Sequence, residues 1–122
     1  MNYENFTIKT QEALQEASSI ANKKDNSEIG AEHVLQALLE QQDGLVSPIV
    51  DRIGISSFEL LNRVKAIVDS NPKVSGGAQV YFSSEMQKIL AKAENERNKT
   101  NVDKTTFLLN LKKLIVGLDY GK

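Results

Sequence analysis

The stretch Ser27 to Gln41 constrains this chain more than any other. It reads Ser-Glu-Ile-Gly-Ala-Glu-His-Val-Leu-Gln-Ala-Leu-Leu-Glu-Gln, a helix opening at Gly30. Val34, Leu35, Leu38 and Leu39 fall at spacings of one, four and five, which is one face of a 3.6-residue period. Glu32 stands in the first turn, where the unpaired N–H groups and the helix dipole favour a carboxylate. The same segment holds the only histidine of the chain, His33.

Around that helix, the chain reads as one all-α domain spanning residues 1–122. Hydrophobic residues make up 40% and charged residues 25% of the 122, a globular composition. A formal net charge of −1 offers no whole-chain attraction for nucleic acid or an anionic membrane, so neither partner is expected. The absence of cysteine excludes disulfides, thiolate metal sites and cysteine nucleophiles together. Met1 to Phe6 is polar and mixed rather than a basic-then-apolar leader. Lys112 and Lys113 split the richest apolar stretch, leaving nothing long enough to span a bilayer. The expected location is cytoplasmic.

Thr7 is the N-cap of a first helix, in which Ala13, Leu14, Ala17, Ile20 and Ala21 recur at threes and fours. Three of those five positions are alanine, so a neighbour can approach its backbone closely. After the organising helix, Gly44 is expected to supply a left-handed cap. Ser47 and Pro48 read as N-cap and first residue of a short helix with Ile49, Val50 and Ile53 on its apolar side, ended by Gly54. Ser56 and Glu59 form a capping box, with Ile55 and Leu60 at hydrophobic-staple positions. Leu61, Val64, Ile67 and Val68 continue that fourth helix to Pro72. Residues 71–79 are a linker. Ser83 or Ser84 then caps a fifth helix bearing Met86, Ile89, Leu90 and Ala93, and Asp103 a sixth bearing Phe107, Leu108, Leu111 and Leu118.

The chain also repeats itself. Phe6-Thr7 with Leu14 and Ala17 matches Phe82-Ser83 with Leu90 and Ala93 at identical separations. Ile29-Gly30 with Val34, Leu35 and Leu38 matches Val102-Asp103 with Phe107, Leu108 and Leu111. The pattern predicts two pseudo-symmetric helical repeats: residues 1–70, the linker 71–79, a second and incomplete repeat 80–116, and a tail 117–122. First helices lying side by side would leave an apolar seam, suited to an extended or amphipathic peptide.

Chemistry is scarce. His33 has no second histidine or cysteine to share a metal with, and no nucleophile or water motif to serve as a base. It is expected to make structural hydrogen bonds, and Glu32 to complement the helix dipole. Gly76-Gly77 lacks the lysine of a phosphate loop and the Rossmann glycine spacing. No metal, cofactor or catalytic residue is expected, and the chain by itself does not read as an enzyme.

Phe6-Thr7, Gln11-Glu12-Ala13-Leu14, Ile29-Gly30-Ala31-Glu32-His33-Val34-Leu35 and Ala37-Leu38-Leu39 together resemble the N-terminal (Clp repeat) domain of the Clp/Hsp100 chaperones. Asp43-Gly44-Leu45-Val46 and Pro48 follow the same pattern. The linker Pro72-Lys73-Val74-Ser75-Gly76-Gly77-Ala78-Gln79-Val80-Tyr81 is similar to the ClpB-type disaggregase branch. The resemblance runs from Met1 to about Ala93. It implies an all-helical pseudo-dimer sitting on a ring of AAA+ domains, and a stress-response role in engaging unfolded or aggregated polypeptides through a groove between repeats. It further implies that Thr7 and Leu90 belong to that groove. Ala13, Ala17 and Phe82 are added from the small-residue seam. An adaptor-binding domain of a ClpA- or ClpC-type unfoldase, or a structural module that self-associates, are the alternatives. The second repeat departs from the family, with Thr105 standing where a glutamate is usual.

Overall fold

The computed structural model describes residues 7–74 and 79–100, with side chains described through residue 95. Its elements run α1 (Ile8–Lys23), β1 (Glu28–Ile29), α2 (Ala31–Glu40), α3 (Val46–Arg52), α4 (Ser57–Ser70), β2 (Tyr81–Phe82) and α5 (Ser84–Thr100). The all-α expectation is correct, with one addition. β1 and β2 pair in parallel, Glu28 opposite Tyr81 and Ile29 opposite Phe82. The Ser83 N–H extends the pairing by donating to the Ile29 carbonyl at 3.0 Å. Two-residue strands are too short to carry an alternation, so periodicity gives them no signal.

α1 begins where its cap demands. Thr7 Oγ1 accepts from the Thr10 N–H at 3.2 Å, satisfying a donor that the helix leaves orphaned. Ala13, Leu14, Ala17, Ile20 and Ala21 are all buried, as their spacing predicts. Ser83 caps α5 in the same way, its Oγ accepting from the Met86 N–H at 3.1 Å. Met86, Leu90 and Ala93 are then fully buried. The matched cap, leucine and alanine of the two repeats therefore have equivalent local roles in α1 and α5. The helix expected after Asp103, and with it the second half of the repeat and the tail, lies outside the described residues.

α2 lies at the centre of the molecule, packed mainly against α1 and α4. One apolar face was expected, yet eight of its residues are buried, from Ala31 through Leu39 except Glu32. The alanines of α1 let the two helices approach closely, and α4 adds Leu60, Val64 and Val68 from the other side. A single apolar cluster results, joined by Met86, Leu90 and Ala93 of α5.

That enclosure catches one polar group. Gln36 is 8% exposed; its Nε2 donates to Glu40 Oε1 at 3.4 Å, but its own Oε1 is buried without a partner. A buried unsatisfied acceptor costs on the order of 1–3 kcal/mol. Gln36→Met is therefore expected to stabilise the domain by about 1 kcal/mol, read as a raised urea midpoint with an unchanged slope.

Two terminal readings need correction. α2 stops at Glu40 with Gln41 extended, and the left-handed residue that follows is Asp43, at φ 58°, rather than Gly44. Aspartate tolerates that region because its short side chain bonds locally. α3 starts at Val46 with Leu45 at its N-cap, so Ser47 is inside the helix and donates instead to the Leu39 carbonyl at 3.0 Å. Only Val46 of α3 is buried, and Ile49 and Ile53 face outward. Gly54 does end it, at φ +93°. At the start of α4, Ser56 Oγ accepts from the Glu59 N–H at 3.2 Å, the cap half of the expected box, and Asp51 adds bonds to the Ser57 amide and hydroxyl at 2.8 and 3.1 Å.

Candidate functional site

The five side chains expected at a peptide groove divide by burial. Ala13, Ala17 and Leu90 are 1%, 0% and 0% exposed, all within the one core cluster. Thr7 is half-buried at the start of α1, and Phe82 is half-buried in β2, packed against the core. Each of these two stands beside an exposed apolar neighbour, Ile8 at 74% and Tyr81 at 63%. Leu45, Ile49, Ile53 and Phe58 form further exposed apolar area on α3 and the start of α4.

The polar architecture is concentrated elsewhere, where α2 begins. The Gly30 N–H donates to His33 Nδ1 at 2.9 Å, while the Gly30 carbonyl accepts from the His33 N–H at 3.2 Å. His33 thus fills the third-residue position of a capping box, a place usually taken by Glu or Gln. Because Nδ1 accepts, the neutral ring carries its proton on Nε2, which donates to Asn26 Oδ1 at 2.7 Å. Asn26, only 4% exposed, donates from Nδ2 to the Pro72 carbonyl at 3.3 Å and to the Lys24 carbonyl at 3.4 Å. The expected structural role for His33 is correct.

Glu32 does more than complement the dipole. Its carboxylate folds over Gly30, where a Cβ would collide with it, and accepts from Asn71 Nδ2 at 2.8 Å. Beside these residues lies a hollow of about 450 Å³, lined in part by Asn26, Glu28, Gly30, Glu32, Asn71 and Ser83. It brings together the starts of α2 and α5. None of the five expected groove residues lines it. Sequence reasoning missed Asn26, since nothing in a lone asparagine announces burial. Its position after Asp25, a left-handed residue at φ 57°, is what turns it inward.

Burial holds the His33 pKa below the ordinary 6.5, partly opposed by the Glu32 charge. The unfolded chain therefore takes up a proton at a higher pH than the folded one. Stability contributed by neutral His33 is complete above about pH 6.5 and declines as pH falls from there toward the lowered folded value. Urea unfolding at stepped pH is expected to show that decline, and His33→Gln to remove the histidine component of it.

Among the described residues, no cluster of three or more His, Asp or Glu side chains could hold a metal ion, and no helix is long and apolar enough to cross a membrane. What the site offers chemically is shape, hydrogen bonding and apolar area.

Comparison with known proteins agrees with this architecture. The family described as the Clp repeat (R) N-terminal domain matches residues 5–107. The chaperone protein ClpB of Bdellovibrio bacteriovorus is 35% identical over 75% of this chain, and that of Bacillus cereus is 35% identical over 84%. ClpB of Rickettsia felis is 29% identical over 99% of it. The chain spans only 11%, 12% and 14% of the lengths of these three relatives. A solved structure from preliminary structural investigations of a malarial protein secretion system superposes with a TM-score of 0.72 at 20% identity. It covers 89% of this chain and 77% of the other, and it supports the fold alone. With the matched region running from before α1 to beyond α5, the chain belongs to the Clp repeat N-terminal domain family.

Proposed function

We propose that this chain is the client-binding module of a ClpB-like disaggregase, engaging unfolded or aggregated polypeptide through an apolar groove between its two repeats. The observation that carries the reading is its kinship to the ClpB chaperones over most of its length. Exposed apolar side chains beside both repeat starts support it, Ile8 next to Thr7 and Tyr81 next to Phe82. In this proposal Thr7 and Phe82 stand at the rim of the groove. Ala13, Ala17 and Leu90 shape it from beneath by packing, not by exposed area. AAA+ ring domains of a parent chaperone would supply the work of ATP hydrolysis, and this module the first, weak grip.

Such a grip depends on modest apolar area without a deep pocket, so affinity is set by few contacts. An NMR titration with a permanently unfolded polypeptide is expected to move the amides of Thr7, Ile8, Tyr81 and Phe82. Ile8→Ser with Tyr81→Ser is expected to weaken binding by about thirtyfold, each lost apolar contact costing on the order of 1 kcal/mol. Shifts confined to α3 and the start of α4 would overturn the groove between repeats and place the contact on Leu45, Ile49, Ile53 and Phe58 instead.

A further inference from the structure

The segment that leaves α4 is strapped to the start of α2 and to the turn between α1 and β1 by several polar bonds. Asn71 Nδ2 donates to the Glu32 carboxylate at 2.8 Å. Asn26 Nδ2 donates to the Pro72 carbonyl at 3.3 Å. Lys73 Nζ donates to the Lys24 carbonyl at 3.2 Å, and the Val74 N–H to the Asp25 carbonyl at 2.8 Å. Backbone bonds from Lys24, Asp25 and Asn26 to the Ile20, Asn22 and Ala21 carbonyls tie the turn to the end of α1, and one buried contact from behind, His33 Nε2 on Asn26 Oδ1 at 2.7 Å, orients the Asn26 side chain. His33 is 1% exposed and Asn26 4%, so no solvent competes for that bond while the site is closed.

We propose that His33 is a pH-sensitive latch: its neutral ring locks Asn26 beneath the strap at residues 71–74, and its protonated ring releases the strap. The geometry makes the two states exclusive. A proton from water added at Nδ1 faces the Gly30 N–H, converting an acceptor into a donor opposed to a donor. The ring must then move, and Asn26 loses the partner that orients it. With its Oδ1 orphaned in a buried site, the Asn26 side chain is driven to turn toward a new donor, which takes its Nδ2 away from the Pro72 carbonyl and weakens the strap beside the Asp25–Val74 bond.

The charges surrounding the ring set the threshold. Glu32, on the same helix, favours the imidazolium. Asp25 and Lys24 lie in the turn, Glu28 on β1, Lys73 on the strap, and Glu85 at the start of α5 beside the hollow. From α4, Asp69 is paired with Lys24 at 2.7 Å and Lys65 with Glu40 at 3.5 Å. Lys9, Glu12 and Glu16 of α1 gather by the other end of α2, around Glu40 to Gln42. Burial outweighs the Glu32 attraction and keeps the ring neutral at pH 7, so the latch is closed there and opens as pH falls toward the lowered value.

Because the chain has one histidine, its titration is assignable without ambiguity. The test follows the His33 ring nitrogens by NMR from pH 7.5 to 4.5, together with hydrogen exchange at the Val74 and Gly30 amides. Between the open-state and closed-state pKa values, protection at Val74 and Gly30 is expected to fall by about tenfold per pH unit, while amides of α1 stay protected. His33→Gln, which does not titrate, is expected to abolish that dependence. Protonation of His33 that leaves Val74 protected would overturn the latch. So would loss of protection at every amide together, because the event would then be global unfolding. If His33→Gln does not fold, the co-titration of ring and strap in the unmodified chain decides by the same two criteria.

Discussion

Leu38→Ala is expected to destabilise the domain by about 3 kcal/mol, within the range for buried leucine truncations. Leu38 is 2% exposed and among the largest fully enclosed side chains. It sits on α2, which is walled by α1 and α4, so the void has little room to collapse. Those walls are helices packed through alanine and valine, including Ala17 and Val64, each at most 1% exposed. Small rigid side chains cannot reach in to fill the space. Against a typical total of roughly 5–15 kcal/mol for a domain, such a loss populates the unfolded state visibly. Urea denaturation followed by circular dichroism would measure it. A loss under about 1 kcal/mol would mean that α2 is not the centre of the core.

His33→Ala is expected to cost a similar amount, about 3 kcal/mol, for a different reason. The substitution removes little apolar area but orphans two partners, the half-buried Gly30 N–H and the buried Asn26 Oδ1. Each unsatisfied group costs on the order of 1–3 kcal/mol, and the vacated ring volume adds a cavity contribution. The two substitutions separate on acidification. Wild type and Leu38→Ala retain the decline below about pH 6.5 that neutral His33 imposes, whereas His33→Ala has no histidine to protonate and lacks that component. A double titration of stability against pH and urea would read both effects in one experiment. Equal pH slopes in all three proteins would remove His33 as the origin of the decline.

These outcomes bear on how much of the molecule was legible before folding. The helices of the first repeat were, because their signals are local. Thr7, Ser56 and Ser83 each accept from an N–H three residues on, and a cap's geometry is complete within one turn. The buried face of α1 was legible for the same reason, since a 3.6-residue period needs no knowledge of the partner. The start of α3 was misread: Leu45 at its N-cap has no capping side chain, and Ser47, the expected cap, bonds to Leu39 instead. That bond spans two elements, beyond the reach of a local rule.

The groove residues show the same division more sharply. Alanines at Ala13 and Ala17 announced a close approach, and α2 makes that approach so fully that they are sealed in the core. Spacing specifies which side of a helix is apolar, but not whether that side is left as a groove or closed by a neighbour. Exposed apolar area falls on Ile8, Phe58 and Tyr81, residues whose local pattern carries no warning.

By itself, then, the stretch from Ile29 to Glu40 determined a helix with its start at Gly30, its apolar leucines and its histidine in the first turn. Tertiary structure alone decided what that histidine does. Asn26 and the strap at Asn71 and Pro72 reach the start of α2 from separate parts of the chain, and the pairing of β1 with β2 joins the two repeats there. Hydrogen bonds between such distant residues leave no periodic trace. They form only after burial has excluded the water that would otherwise satisfy the same groups.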